Sequence, residues 1–270
     1  MIVKKWLTYI LILILSFACS DKQNESTSNS LTLSSDTFLI AFEYKDYEKK
    51  YGACINDTDC AEVKLHYPQL LNGSDAVAHI NEAIVSSLMN DDDEEMLYRS
   101  FDEIVDSLIS QYKSVQKEFS DYHTAWFIHK DIELTGIIQN YLSIKNEVTM
   151  YTGGANSYYN VDLSVFNLNN GKKQSLTQFV VEDRMDEFFK IGESQFRKIK
   201  HIAENQTIKE TGYWFENDKF YLPDNFNFSD SGFVFFYNLY EIAPRSEGYT
   251  KLFIPKEELK DILITNNIFK

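Results

Sequence analysis

The sequence predicts an α+β fold in which antiparallel sheets and helices occupy separate parts of one compact, two-part module. Three observations lead to this class. Amphipathic segments with helical spacing follow an alternating strand early in the chain, a long middle stretch alternates with period two, and the last third combines dense aromatic side chains with turn residues. No internal repeat or composition break after residue 36 divides the chain further.

Five strands are predicted ahead of the third helix, from branched and aromatic runs and from strict alternation of apolar and polar residues. They span residues 37–44, 61–67, 123–134, 137–151 and 158–166. Pro68 should end the second strand, because proline cannot donate to a sheet. The run N-L-N-N-G at 167–171 indicates a tight turn after the fifth, since Asn and Gly accept positive φ.

Three helices are predicted from apolar residues at helical spacing. They span 74–88 with Ser74 as N-cap, 91–119 opening in an acidic run, and 182–201 with Met185, Phe188, Gly192, Phe196 and Ile199 inward. The acidic run D-D-D-E-E at 91–95 suits a helix N-terminus better than a calcium loop, whose spacing it lacks. A last strand at 249–254 and a short helix from Pro255 to Leu263 complete the chain.

The stretch from Tyr213 to Tyr240 holds 12 aromatic side chains. Aromatic pairs stabilise sheets and cores, and this is the favoured interpretation. Tyrosine and tryptophan also line sugar sites, so a glycan-binding role for part of this stretch stays open.

The first 18 residues have the organisation of a secretory signal. Lys4 and Lys5 precede an apolar run that is too short for a membrane span and that ends in S-F-A-C. The small residue before Cys19 resembles the lipobox of bacterial lipoproteins, in which the new N-terminal cysteine is acylated. We therefore expect residues 1–18 to be a signal peptide and residues 19–35 to be a lipidated Cys19 with a flexible, serine-rich tether.

Two further cysteines, Cys54 and Cys60, are separated by five residues. A metal pair is the alternative, but no other Cys or His cluster completes such a site. In an extracytoplasmic compartment this spacing predicts a structural disulfide, and chain entropy gives it roughly 2–3 kcal/mol.

Charge limits the range of partners. The chain has 41 acidic and 26 basic side chains, a net charge of -15, and loss of Lys4 and Lys5 with the signal leaves -17. Nucleic acid is excluded as a partner, because phosphate neutralisation needs clustered Lys and Arg. The acidic balance instead favours a cationic partner outside the cytoplasm.

No pattern in the sequence marks a catalytic, cofactor or metal site. The five histidines form neither H-x-x-x-H nor H-x-H, and there is no nucleophile elbow, phosphate loop or dinucleotide fingerprint. We therefore predict no catalytic residue, no metal and no cofactor. The alternative is a cell-wall hydrolase or deacetylase that uses carboxylates in the aromatic-rich C-terminal half.

Two loops combine turn chemistry with residues suited to recognition. The first is Thr152, Gly153, Gly154, Ala155 and Asn156, where paired glycines permit unusual φ or close approach. The second runs from Tyr240 to Tyr249 and includes Glu241, Pro244, Arg245 and Glu247. Both are candidate ligand-binding loops, with a purely structural turn as the alternative.

These loops and the strands beside them resemble a bacterial family. The resemblance rests on T-G-G-A-N at 152–156, V-D-L-S-V-F-N-L-N-N-G-K-K-Q-S-L-T-Q-F-V at 161–180, G-F-V-F-F-Y-N-L-Y-E-I-A-P at 232–244 and K-L-F-I-P-K-E-E-L at 251–259. The family is the paired domain-of-unknown-function module of the lysozyme-sensing anti-sigma factor, which also precedes the catalytic domain of certain peptidoglycan deacetylases. The similarity covers nearly all of residues 36–263.

The resemblance implies a non-catalytic extracytoplasmic α+β module. From the sequence we expect this module in two parts, at 36–165 and 166–270, on the lipid anchor at Cys19 and without the anti-sigma or deacetylase extension. It implies a cell-envelope protein, periplasmic or at the cell surface, that binds a protein, such as a cationic lysozyme-like enzyme, or a cell-wall glycan. The family's loop commonly reads T-G-G-A-H, and Asn156 stands in the histidine's place, which puts lysozyme recognition in question.

Overall fold

The structure is a computed structural model that describes residues 29–32, 39–55, 58–71, 73–90, 98–264 and 268–269. Its strands are β1 (Asn29–Thr32), β2 (Leu39–Ile55), β3 (Thr58–Leu70), β4 (Trp126–Ile138), β5 (Tyr141–Tyr151), β6 (Tyr158–Asn167), β7 (Phe226–Ser229), β8 (Gly232–Tyr237) and β9 (Thr250–Pro255). Its α-helices are α1 (Asp75–Met89), α2 (Phe101–Glu118) and α3 (Met185–Ile199). No helix in these described ranges is long and apolar enough to cross a membrane.

Two sheets and segregated helices confirm the α+β class. A six-stranded sheet runs in the order β1-β2-β3-β4-β5-β6, and a three-stranded antiparallel sheet has the order β7-β8-β9. The larger sheet is mixed, since β3 and β4 pair in parallel whereas its other neighbours are antiparallel. The parallel pair arises because α1 and α2 lie between these strands in sequence and form the crossover that such a pair requires.

The helices α1 and α2 cover one face of the larger sheet and bury their apolar stripes against it. Ser74 caps α1 as expected, since its Oγ accepts from the amide of Val77. The prediction that the second helix opens in the acidic run 91–95 falls on residues outside the described part of the chain. The described helix α2 begins only at Phe101, where the Ser100 Oγ accepts from the Glu103 amide and the Glu103 carboxylate accepts from the Arg99 amide.

Strands β4–β6 are shared by two hydrophobic cores. The adjacent residues Val165 and Phe166 point to opposite faces of β6, so Phe166 joins the core beneath α1 and α2. Val165 joins a second core, built from α3, the smaller sheet and the aromatic-rich stretch. The predicted division at residue 165 therefore lies inside β6, and the two-part organisation stays a prediction.

Several predicted boundaries shift. The turn between β4 and β5 lies at Gln139–Asn140, and Gly136 marks a register shift inside the strand pair instead. Pro68 does not end β3, which continues to Leu70, because the pairing with β4 stops at His66 and no ladder hydrogen bond to β4 is needed at Pro68. The expected turn after β6 forms, with the Gly171 amide donating to Asn167.

The helical predictions near the C-terminus are only partly right. In α3, Phe188, Gly192 and Phe196 are buried as predicted and Met185 packs against the core, but Ile199 is 42% exposed because the helix ends there. The helix expected from Pro255 to Leu263 is a single 3-10 turn at Lys256–Leu259.

The described residues bear on two of the N-terminal predictions, the tether and the disulfide. Residues 1–28, which include Cys19, lie outside the described residues, so the signal and the lipid anchor stay predictions. Residues 29–32, within the expected tether, pair with β2 as the edge strand β1. The predicted disulfide between Cys54 and Cys60 is confirmed, and it joins β2 to β3 at the end of their long hairpin.

Candidate functional site

The aromatic-rich stretch 213–240 is mainly core. Ten of its aromatic side chains are buried or partly buried, nine in the core formed by α3 and the smaller sheet and Phe236 in a small cluster with Val161 and Leu163. The ten are Tyr213, Phe215, Phe220, Tyr221, Phe226, Phe228, Phe233, Phe235, Phe236 and Tyr237. The two exceptions are Trp214, which is 44% exposed, and Tyr240, which is 59% exposed. The amide of Trp214 donates to the carbonyl of Ile242, which places these two exposed rings on neighbouring backbone segments.

The first predicted loop, 152–156, connects β5 to β6 and is exposed along its whole length. Gly153 has a φ of 90°, and a Cβ there would lie 2.9 Å from both the indole carbon Cζ2 of Trp126 and the hydroxyl of Tyr122. Those two side chains are themselves joined, because the Trp126 Nε1 donates to the Tyr122 hydroxyl over 2.8 Å. Glycine at 153 therefore lets the loop backbone rest directly on a fixed aromatic surface.

The second predicted loop, from Tyr240 to Tyr249, uses its carboxylates internally. The Glu241 carboxylate accepts from the Asn238 amide at 2.8 Å and from the Tyr221 hydroxyl at 3.3 Å. Burial raises the pKa of Glu241, although both hydrogen bonds act in the opposite direction.

Glu247 accepts from the Tyr213 hydroxyl at 3.2 Å, and burial together with this carboxylate raises the pKa of Tyr213 to about 12. Pro244 precedes the 3-10 turn Arg245–Glu247 that carries this side chain. The hydrogen bonds of Glu241 and Glu247 therefore stabilise the conformation of the second loop.

One side chain joins the two loops. Both terminal nitrogens of Arg245 donate to the backbone oxygen of Ser157, the residue that follows Asn156. The structure therefore brings together the two loops that the sequence analysis singled out separately. We refer to residues 152–157 and 240–249, together with the adjoining Trp214, as the loop rim.

A groove of about 480 Å³ begins beside the loop rim and runs between the two sheets. One wall is the face of β4–β6 that points away from α1 and α2, and the other is the outer face of β7–β9. We call it the intersheet groove. Its lining includes Lys145, Tyr159, Val161, Leu163, Asn227, Asp230, Val234, Phe236, Tyr249 and Lys251.

Asparagine side chains hold the walls of this groove together. Asn238 accepts from the amide of Val161 and donates to its carbonyl, while Asn225 accepts from the amide of Leu163. These amide groups take the place of a further strand along β6, the edge of the larger sheet, and so cover an edge that would otherwise be open to pairing.

A second, polar depression of about 430 Å³ lies on the same face of the larger sheet, over β2–β5. Here Asp46 pairs with His66, and Glu62 pairs with His129. Partial burial raises the pKa of Asp131, one of the residues that line this depression. Within the described residues, no group of three or more His, Cys, Asp or Glu side chains is arranged to hold a metal ion.

Sequence reasoning missed the intersheet groove. Period-two alternation does place Tyr159, Val161 and Leu163 on one face of β6. Nothing in the sequence reveals that β7–β9 turn their outer face toward that face. The roles of Asn225 and Asn238 were equally invisible, since asparagine in a loop ordinarily indicates a turn.

Two family models match successive parts of the chain. Residues 54–159 match "Deacetylase PdaC", and residues 177–257 match the protein family of unknown function DUF3298. No curated protein shows significant similarity to the chain.

Two solved structures share the fold. A DUF3298 family member from Bacteroides fragilis NCTC 9343 has a TM-score of 0.66 at 17% identity, and a DUF3298 family protein from Pseudomonas aeruginosa PAO1 has 0.62 at 15%. Each comparison covers 85% of this chain and 96% of the other. At these identities the likeness shows the fold alone. The chain thus has the paired domain-of-unknown-function module, with a PdaC-like segment followed by a DUF3298 segment.

Proposed function

We propose that the protein is a non-catalytic binding protein of the bacterial cell envelope, anchored through Cys19, and that the loop rim is its contact surface for a partner protein. The two family matches are consistent with a cell-wall-related role. The signal-like N-terminus and the disulfide favour an extracytoplasmic location.

The observation that carries this proposal is the pre-formed loop rim. Arg245, Glu241 and Glu247 are each held in hydrogen bonds within the protein, so the loops pay little ordering cost on binding. Trp214 and Tyr240 stay exposed beside these bonds. Protein interfaces are enriched in exposed Tyr and Trp that serve as anchors, which is the role these two rings suit.

A cationic protein is the partner class that the charge favours. The mature chain carries -17, and such a field accelerates encounter with a positively charged partner. Because the loop carboxylates are engaged internally, we assign steering to the overall charge and short-range contact to Trp214 and Tyr240. A lysozyme-like muramidase has the required charge and is the specific partner that we propose to test.

The test measures binding of a cationic muramidase to the immobilised mature protein, at low ionic strength and again at several-fold higher salt. We expect a complex that weakens with salt and that Trp214→Ala and Tyr240→Ala each weaken about tenfold or more. Leu71→Ala is the matched control, since Leu71 is 45% exposed but lies at the far end of β3, about 33 Å along the strand from Ala61, the partner of Trp126.

Asn156→His tests the partner's identity. If the histidine of the T-G-G-A-H pattern contributes to lysozyme binding, this variant should bind the muramidase more tightly than the wild-type protein. Failure to recover muramidase with either protein at low salt would overturn lysozyme as the partner, although another cationic protein could still bind.

Catalysis is tested separately. Purified mature protein is incubated with peptidoglycan, with and without divalent metal ions, and soluble fragments and acetate are measured. Release of either above the level of a buffer control would overturn the non-catalytic assignment in favour of the hydrolase or deacetylase alternative.

A further inference from the structure

We propose that the intersheet groove is a second binding site, distinct from the anchors of the loop rim, and that it takes an acidic saccharide chain. The inference goes beyond the protein-binding role proposed above. It rests on the shape of the groove, its aromatic wall and the position of its two lysines.

The size and lining of the groove suit a small segment of a polymer. A volume of about 480 Å³ lies within the range of ligand sites in proteins. Val161, Leu163 and Val234 provide an apolar floor, while polar side chains stand along both walls. A sugar ring presents the same combination, because its C–H faces are apolar and its edge is a ring of hydroxyl groups.

One end of the groove is an aromatic wall. The rings of Phe236 and Tyr249 stack with centroids 5.0 Å apart and planes inclined by 24°, and Tyr159 lies 6.0 Å from Tyr249. Tyr249 is 52% exposed, so part of its ring remains available to a ligand. Phe236 supports the tyrosine from the protein side, which fixes the ring without covering it.

Two lysines line the groove from opposite sheets. Lys145 on β5 is partly buried, which disfavours its charge, but its hydrogen bond to Glu147 and the charges of Glu147 and Glu133 together raise its pKa. Lys251 on β9 makes no ion pair with any residue that the structure describes, and its register opposite Phe236 places it on the groove side of the strand. An ammonium group in that position suits a carboxylate on the saccharide.

A peptide is a poorer occupant than a saccharide. Peptides that bind beside sheets commonly add a strand to an open edge. The edge of β6 in this groove is occupied by Asn225 and Asn238, which already satisfy the amides of Val161 and Leu163 and the carbonyl of Val161. A ligand there must bind through side chains, as a saccharide does.

The experiment is calorimetric titration of the mature protein with two soluble probes. One is a peptide-free tetrasaccharide of peptidoglycan, which carries carboxylates, and the other is chitotetraose, which is neutral. We expect the acidic tetrasaccharide to bind more tightly. Tyr249→Ala should lower the affinity for both probes about fivefold to tenfold, whereas Lys251→Gln should lower the affinity for the acidic probe only. Both positions are exposed at the surface, so we expect both variants to fold, and circular dichroism checks this.

Tyr240→Ala is the control that separates this proposal from the loop-rim proposal. Tyr240 and Tyr249 end the same loop, but only Tyr249 lines the groove. Tyr240→Ala should therefore leave saccharide binding unchanged, whereas it should weaken binding of the partner protein. No binding of either probe at millimolar concentration overturns the groove proposal, and so does binding that Tyr249→Ala leaves intact. Binding of a peptidoglycan stem peptide without either saccharide overturns the ligand class.

Discussion

The guanidinium of Arg245 donates from both terminal nitrogens to the backbone oxygen of Ser157, over 3.2 Å in each case. The two residues stand 88 positions apart in the sequence, and the contact fastens the second loop to the end of the first. A bifurcated contact of this kind needs the planar fork of arginine. Arg245 therefore joins the two halves of the loop rim.

Replacing Arg245 by lysine should loosen the rim while preserving the charge. A single ammonium cannot reproduce two directed donors, and we expect a loss of about 1–3 kcal/mol in the free energy of unfolding. Hydrogen exchange at residues 152–157 should become faster in Arg245→Lys and faster still in Arg245→Ala. Unchanged exchange in both variants would show that the Gly153 contact alone holds the first loop.

Gly153→Ala should disturb the same loop from its other side. A methyl group at this position would meet the Trp126 indole and the Tyr122 hydroxyl at 2.9 Å, and the backbone φ of 90° is unfavourable for alanine. We expect a loss of about 1–3 kcal/mol, measured by urea unfolding. Gly154→Ala is the control, because its nearest neighbour would be 3.8 Å away, and it should change stability little.

The sequence was most informative where one local signal determines the outcome. Ser74 is a good N-cap, and α1 begins directly after it. The five-residue spacing of Cys54 and Cys60 predicted their bond. The parallel pairing of β3 with β4 was not predicted, because alternation shows that a strand has two faces but not which strand it will lie beside.

The candidate site divides in the same way. The two loops were found from their own glycine, proline and aromatic residues. Their connection through Arg245 was not, because a contact over 88 positions leaves no local pattern. From the sequence, the charges of the second loop are candidate contacts for a ligand. The structure shows Glu241 and Glu247 bonded within the protein, and Trp214 exposed beside them.

Removing the asparagine cover of β6 should expose a sheet edge. In Asn238→Ala the amide and carbonyl of Val161 lose this partner, and we expect a loss of about 1–3 kcal/mol and increased self-association. Asn238→Asp keeps the acceptor but loses the donor, so its stability should lie between that of the wild-type protein and that of Asn238→Ala. Urea unfolding and light scattering measure the two effects. If Asn238→Ala is as stable and monomeric as the wild-type protein, Asn238 is not needed to cover the edge of β6.

Glu241 should make stability depend on pH in a direction opposite to that of most carboxylates. Burial raises its pKa in the folded protein, so folding favours the protonated form. The stability that this group contributes is present below its unfolded pKa and is lost as pH rises through the higher folded pKa. The free energy of unfolding of the wild-type protein, less that of Glu241→Gln, should therefore decrease as pH rises above the ordinary pKa of glutamate, about 4.

Tyr221→Phe provides the matched test of this assignment. The Tyr221 hydroxyl donates to the Glu241 carboxylate and so lowers its pKa, against the larger effect of burial. Without that donor the pKa of Glu241 should rise further, and the loss of stability should move to higher pH. Urea unfolding of the two single variants and the double variant across the pH series isolates the contribution of Glu241 from that of other acids. A stability difference that increases with pH would mean that hydrogen bonding to the Glu241 carboxylate, rather than its burial, determines the protonation state.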